Sequence, residues 1–588
     1  MVIGRGEPGT ARAGRSRPRR AVASAVAVLA ALGLATPVLA SSIGGQTPDA
    51  AAPGGADGHT GAQRKAGTAN HPVPLRATAA SRQAAEPMPL LELTDGDTTR
   101  LYTLDFAEAK TLIDSDRMTR SSRQVAFVPR GEFEGSTPLY RLRRPGDDVR
   151  TISTTDPAER RRLLDDGWVT DGVIGHLATA DGPGLQRLLR FENGEETRLA
   201  LQSRRARLLK AGYRVDATLG YAWAQHIRAG ALYFGMFNDV GGKDIAAATE
   251  QYFGRKGDWW GGVRDFRDGT EYATDNWPGA DFSNLKPSIG YYDDAAPATL
   301  SKHISQATSS GLSFFSFYWY WDGENAQEAV TRKGLDAFLA AENRATIDFS
   351  IGVCAHPWGG LGIPADQFDQ ASAVLVDKYL SQDNALRTND GRRILEICDA
   401  RGIGDGSPEQ VASFTQAVRD RAQAELGEQI YIMINQGSLD PAQVPAAGGD
   451  AVYCTTDGPG VESQSYQEYL EGQLGNYAAA PGAYGRCVLT NFDERPRYPV
   501  SIPNLDEIRW MPDQSLDGYR QALRAMVGDM NESERPPEVD NFAYLYAWNE
   551  WHEGGILEPN VAEGCAYLDA TREELGLTSG SGCVANPG

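Results

Sequence analysis

"FAYLYAWNEWHEGGILEPN" runs from Phe542 to Asn560. An unbroken apolar and aromatic run gives way to a cluster in which Glu550, Glu553 and Glu558 lie among Trp548, Trp551 and His552. A strand that is apolar on both faces is covered on both sides, as in parallel sheets wrapped by helices. Where such a strand ends in carboxylates and indoles, the end reads either as a rim that carries chemistry or as a well-dressed surface loop.

The same pattern recurs upstream. Apolar, β-rich runs are "ALYFGMFN", "PSIGYYD", "LSFFSFYWYW", "TIDFSIGVCAH", "RRILEICDA", "QIYIMINQG", "AVYCTTDG" and "RCVLTNFDE". Amphipathic segments separate them, among them "ATLSKHISQATSSG" (298–311) and "SPEQVASFTQAVRDRAQAELG" (407–427), the latter opening with a Ser-x-x-Gln capping box. Strands alternating with helices predict an α/β fold with a parallel sheet. About eight such units in roughly 350 residues predict a (β/α)8 TIM barrel over 227–577. A doubly wound open sheet is the alternative, but no Gly-rich phosphate turn follows the first run.

In a barrel, function sits at the C-terminal ends of the strands. Read in order, those ends offer Tyr292 and Asp293, Trp319 and Tyr320, His356 and Trp358, Asp493 and Arg497, then Trp548, Asn549, Glu550, His552 and Glu553. Rings that stack on C–H faces, with acids that fix hydroxyls, suit a sugar. Glycosidic cleavage needs two carboxyl groups, one of which must keep its proton; burial against indoles favours that. Glu550 and Glu553 share a face on a helical turn, or converge in a tight loop after a strand. Strand alternation makes some of the rings in "FYWYW" core rather than rim. Asp493 and Arg497 read equally as a structural ion pair, and His552 as a hydrogen-bond partner.

These residues resemble a known family. "AWNEWHEGGILEPN" is similar to the signature of glycoside hydrolase family 99, the endo-α-1,2-mannosidases and mannanases, and of the related WbsX-type, family-99-like domains. "PSIGYYDDAAPATLSKHISQATSSGLSFFSFYWYW" resembles their early segment, and "RCVLTNFDERPR" their later one. The resemblance implies a (β/α)8 barrel, retention at the anomeric carbon, and no metal or other cofactor. It implies that Glu550 is the base on the substrate's own 2-hydroxyl, giving a 1,2-anhydro sugar, and that Glu553 is the general acid/base. The departure is "VCAHPW", where His356 and Trp358 replace the Trp and Glu of the WbsX-type pattern.

The rest of the chain frames this domain. Residues 12–20, "RAGRSRPRR", precede an apolar, small-residue run to Ala40, which predicts a signal peptide over 1–40 and secretion; a membrane anchor is the alternative. Residues 41–86 are rich in Ala, Gly, Pro, Ser and Thr and read as a disordered linker. From 87 to 226 the chain repeats about every 45–50 residues, in units such as "PLYRLRR…GDDVRTISTTDPAERRRLLDDGW" and "GLQRLLRFENGEETRLALQSRRARLLKAGY". Each reads as strand, strand, short helix and strand, with Gly167-Trp168 and Gly212-Tyr213 closing the helices. They resemble short repeats found beside secreted hydrolases and on bacterial surface proteins. This small β-rich accessory domain of three units reads either as a glycan- or wall-binding module or as a spacer.

A net charge of −21 over 588 residues disfavours nucleic acid and anionic membrane as partners and leaves a poly- or oligosaccharide. Of six cysteines, Cys565 and Cys583 bracket the C-terminal segment and read as a disulfide that pins the tail, 578–588; the other four read as buried thiols. The rival functions are a glycan-binding protein on the same barrel and a WbsX-type glycosyltransferase. A metalloprotease fits poorly, since "HEGG" lacks the second His of H-E-x-x-H.

Overall fold

The computed structural model describes residues 78–121, 124–238, 259–264, 281–329, 332–357, 359–454, 463–497, 508–532 and 534–587. The expected signal peptide and the first part of the expected linker lie outside these residues.

Eight parallel strands close into a barrel in sequence order: β1 (Arg228–Tyr233), β2 (Phe314–Trp319), β3 (Asp348–Cys354), β4 (Arg393–Asp399), β5 (Ile430–Asn435), β6 (Ala451–Tyr453), β7 (Tyr484–Leu489) and β8 (Phe542–Tyr546). The ring closes where β1 pairs β8, Arg228 opposite Phe542 and Ala231 opposite Leu545. Every residue of β1, β2, β5, β7 and β8 is buried, which is why the sequence reads as unbroken apolar runs. Helices cover the outside, among them Pro297–Ser309, Lys333–Ala340, Pro408–Glu425, Tyr466–Ala479 and Leu516–Glu532. Ser407 caps Pro408–Glu425 by accepting from Gln410 N at 3.3 Å, and Ser465 and Glu468 form a complete capping box. Such caps contribute about 1 kcal/mol each.

One expected strand is not there. "PSIGYYD" is turn, and Pro287 makes only an isolated bridge to Asn560. Its proline and its glycine with positive φ (Gly290, 85°) interrupt a ladder, and the segment packs beneath the loop after β8 instead.

The four remaining cysteines are not thiols. Cys354–Cys398 joins the ends of β3 and β4 (Cα–Cα 4.9 Å), and Cys454–Cys487 joins the end of β6 to β7 (5.4 Å). Neighbouring parallel strands bring these Cα atoms within disulfide reach, which sequence spacing does not reveal. Cys565–Cys583 pairs as expected, at 6.0 Å.

The expected disordered linker ends early, since Ala79–Ala85 is helical. Arg82 of this helix pairs with Asp348, and Glu86 pairs with His226 (2.7 Å) and Arg228 (3.6 Å). Asp348 and Arg228 begin β3 and β1, so the segment is anchored at the N-terminal end of the barrel.

The region expected as an accessory domain has a buried cluster of its own around Leu139, Leu177, Leu188 and Leu219. Ser136–Arg144, Asp147–Thr154, Pro157–Asp165 and Val169–Ala178 run strand, strand, helix, strand, and Leu185–Asn193 through Arg214–Trp223 follow the same order. Arg141 binds Glu108, Asp171 and the carbonyl of Tyr102; Arg190 matches it with Glu159, Asp216 and the carbonyl of Ser153. Each arginine thereby ties one unit to the unit before it. The domain meets the barrel at its N-terminal end, as where Arg120 donates to the carbonyl of Arg535 at 2.8 Å. None of the described helices is long and apolar enough to cross a membrane.

Candidate active site

β8 carries the site. Alternation sends Tyr544 and Tyr546 to the same side of the strand, into the barrel. Tyr544 donates to Glu396 of β4 at 2.8 Å, and Ser316 and Ser350 donate to the same carboxyl, forming a polar layer inside the barrel. Burial raises Glu396 above the usual carboxylate range, although these hydroxyls favour its charge. Nearer the mouth, Tyr546 donates to Oε2 of Glu553.

Beyond β8 the chain forms a small hairpin, in which Asn549 faces Ile556 and Glu550 faces Gly555. Glu553 N–H donates to Glu550 O at 3.0 Å, so one tight turn holds both glutamates. This is the loop geometry, not the helical one. Gly555 is needed here because a Cβ would fall 2.6 Å from Cε1 of Tyr546. Glu550 and Glu553 are buried, 2% and 3% exposed. Burial, followed by the charges of Glu550 and Glu553, holds the Tyr546 phenol well above its usual range, so it remains a donor. Tyr318 of β2 lies on the same side of its strand as Ser316, which reaches Glu396 inside the barrel, and burial, followed by the charge of Glu550, holds its phenol well above the usual range.

An aromatic wall encloses this turn. The His552 ring stacks on Trp259 at 5.9 Å and tilts against Phe237 at 5.4 Å, and Trp551 packs on Trp260 at 5.8 Å. Across the mouth, Tyr320 lies 5.7 Å from the His356 ring. His356 Nδ1 is 2.6 Å from Asp399, which Arg401 also grips at 2.6 Å. Burial opposes ionisation of Asp399, but Arg401 and His356 hold it below the usual range.

Several expected contacts have other roles. Asp293 is exposed and caps a turn through Ala295 N at 2.8 Å; its neighbour Asp294 is the buried acid. Trp319 faces away from the mouth, its indole N–H donating to Glu328 at 3.0 Å, because it alternates with Tyr318 and Tyr320. Trp548 is wholly buried against Phe315 and His303, and its indole N–H has no hydrogen-bond partner among the described residues. Asn549 is clamped to Phe234, accepting from its N–H at 2.9 Å and donating to its carbonyl at 3.0 Å. Asp493 pairs with Arg495 (2.6 Å), and its backbone N–H holds the carbonyl of Glu553 at 2.6 Å. Trp358 lies outside the described residues, as does the side chain of Arg497. Tyr292 is half-buried beside the loop, and its hydroxyl donates to Glu558 at 2.8 Å.

Sequence reading missed Tyr318, Tyr546, Trp259, Trp260 and His303, and gave Glu558 no role. Period-two alternation would have picked Tyr318 over Trp319. Nothing local marks Trp259 and Trp260, which lie outside the strands among the described residues.

A family model described as Glycosyltransferase WbsX matches residues 450–571, and one described as a domain of unknown function (DUF5648) matches residues 89–223. An uncharacterized protein, WxcX of Xanthomonas campestris pv. campestris (strain B100), is 23% identical over 364 residues, covering 54% of this chain and 47% of its own. The chain thus spans about half the length of the curated relatives it matches. Among solved structures, a glycoside hydrolase-like protein covers 60% of this chain and 94% of its own at 18% identity, with a TM-score of 0.41. The GH99 endo-alpha-mannosidase from Bacteroides thetaiotaomicron, in complex with Bis-Tris-propane, covers 60% and 97% at 15% identity, with a TM-score of 0.39. Residues 450–571, which include Asp493, Glu550, Glu553 and Glu558, are WbsX-like, as their motifs indicated.

Proposed function

We propose that this chain is a secreted, retaining glycoside hydrolase that cuts within an α-linked, mannan-like glycan. The observation that supports it best is the buried pair Glu550 and Glu553 on one turn at the barrel mouth, walled by Trp551, His552, Trp259, Trp260 and Tyr318. Glu550 takes the proton of the substrate 2-hydroxyl, whose oxygen attacks the anomeric carbon as the glycosidic bond breaks. Glu553 gives its proton to the leaving oxygen. Water, deprotonated by Glu553, then opens the 1,2-anhydro sugar, and Glu550 returns its proton to O2. The nucleophile is already tethered to the reacting carbon, so little positioning entropy remains to be lost. Tyr546 orients Glu553, while Tyr320 and His356 flank the sugar.

Three disulfides suit an oxidising compartment and support export. The accessory domain, at the opposite end of the barrel, would engage wall or polymer glycan away from the cut. The mature protein, incubated with α-mannans and bacterial wall polysaccharides, should release oligosaccharides; binding without release would favour a lectin. The WbsX description supports a second reading, a glycosyltransferase, for which turnover would require a nucleotide-sugar donor.

A further inference from the structure

We propose that Glu558 is a positioning residue for Glu550, acting through His303 and Tyr292; this rests on Glu550 and Glu553 being the reacting pair. The side chains of Glu558 and His303 are both fully buried, with Nε2 of His303 3.1 Å from Oε1 of Glu558. His303 Nδ1 lies 2.7 Å from the Tyr233 hydroxyl, on β1. Tyr292 donates to Oε2 of Glu558 at 2.8 Å. The Tyr292 oxygen accepts in turn from Asn549 Nδ2 at 3.3 Å and Trp551 Nε1 at 3.2 Å.

One tautomer satisfies all three groups: with the Tyr233 hydroxyl donating to Nδ1, the Nε2–H form of His303 donates to Glu558. The carboxylate accepts from both sides. The Tyr292 O–H is therefore committed to Glu558, and its lone pairs are turned to Asn549 and Trp551, the residues immediately before and after Glu550. Asn549 is further clamped to Phe234 at the end of β1. A buried carboxylate is costly, and apolar residues of like volume fill such a place as well or better, so packing alone does not account for it. Fixing a base does, since a displacement of about 1 Å costs roughly 100-fold in rate.

A glutamine at 558 keeps the shape but presents an NH2 group where an oxygen accepted. Either Tyr292 or His303 then loses its acceptor. The test is kcat and KM of the full chain on the glycan it cuts, for wild type, Glu558→Gln and Tyr292→Phe, with thermal unfolding of each. The expected result is a fall in kcat of about 10- to 100-fold with KM within about twofold, at temperatures where both variants are folded. Wild-type kcat in the folded variants, whatever their Tm, overturns the proposal. A raised KM at unchanged kcat in Tyr292→Phe also overturns it, making Tyr292 a substrate contact. If Glu558→Gln does not fold, Tyr292→Phe, at a half-buried site, decides. Absence of hydrolysis by wild type is a different failure, that of the catalytic reading itself.

Discussion

The phenol of Tyr546, last residue of β8, donates a hydrogen bond to Oε2 of Glu553, seven positions on. Strand and loop are thus tied at the residue proposed as the acid. A displacement of about 1 Å in a catalytic group costs roughly 100-fold in rate. Tyr546→Phe should lower kcat about 10- to 100-fold and leave the fold intact, as measured by hydrolysis rate and circular dichroism.

Asp294 gives a pH signature. Burial pushes its carboxyl up to about 7, although Phe237 N–H and Asn238 Nδ2 donate to it. The folded state therefore holds a proton that the unfolded chain has released above about pH 4. Stability from this group is fully present below about 4 and is lost as pH rises through 7, by at most roughly 1.4 kcal/mol per pH unit. Denaturant titrations from pH 4 to 8 should show a shallower fall in Asp294→Asn than in wild type.

Glu86 has the opposite sign. Burial opposes its charge, but His226, Arg228 and Arg82 outweigh it and hold it at about 2. Its contribution is present above about pH 4.5 and lost as pH falls towards 2. Glu86→Gln should cost about 1–3 kcal/mol at pH 7 and make the segment before the accessory domain more open to protease, with less difference from wild type at pH 3.

The cysteines are all paired among the described residues. Thiol labelling of the denatured, unreduced chain should find none, and six after reduction. Cys565→Ser with Cys583→Ser opens an 18-residue loop and should cost about 3 kcal/mol.

Much of this was legible in the chain itself. Parallel strands buried on both faces produce the apolar runs that predict the barrel, and Glu550 and Glu553 stand out because they follow such a run directly. What was not legible depends on contacts between distant segments. Glu558 meets His303 across 255 positions, and Trp259 reaches His552 from a stretch with no strand signal. Alternation along β2 turns Tyr318 rather than Trp319 to the inside of the barrel, a distinction that residue type alone does not make. The two-residue turn pair of Asp493 with Arg495 leaves no mark in composition. The Cys354–Cys398 pair follows from strand adjacency, which only the closed sheet supplies.

The most direct test follows the anomeric proton by NMR while the wild-type protein cuts an α-mannan, alongside Glu550→Gln and Glu553→Gln. The α-anomer should appear first with wild type, and either substitution should lower release by several orders of magnitude. First appearance of the β-anomer, or unchanged release by Glu550→Gln, would contradict it.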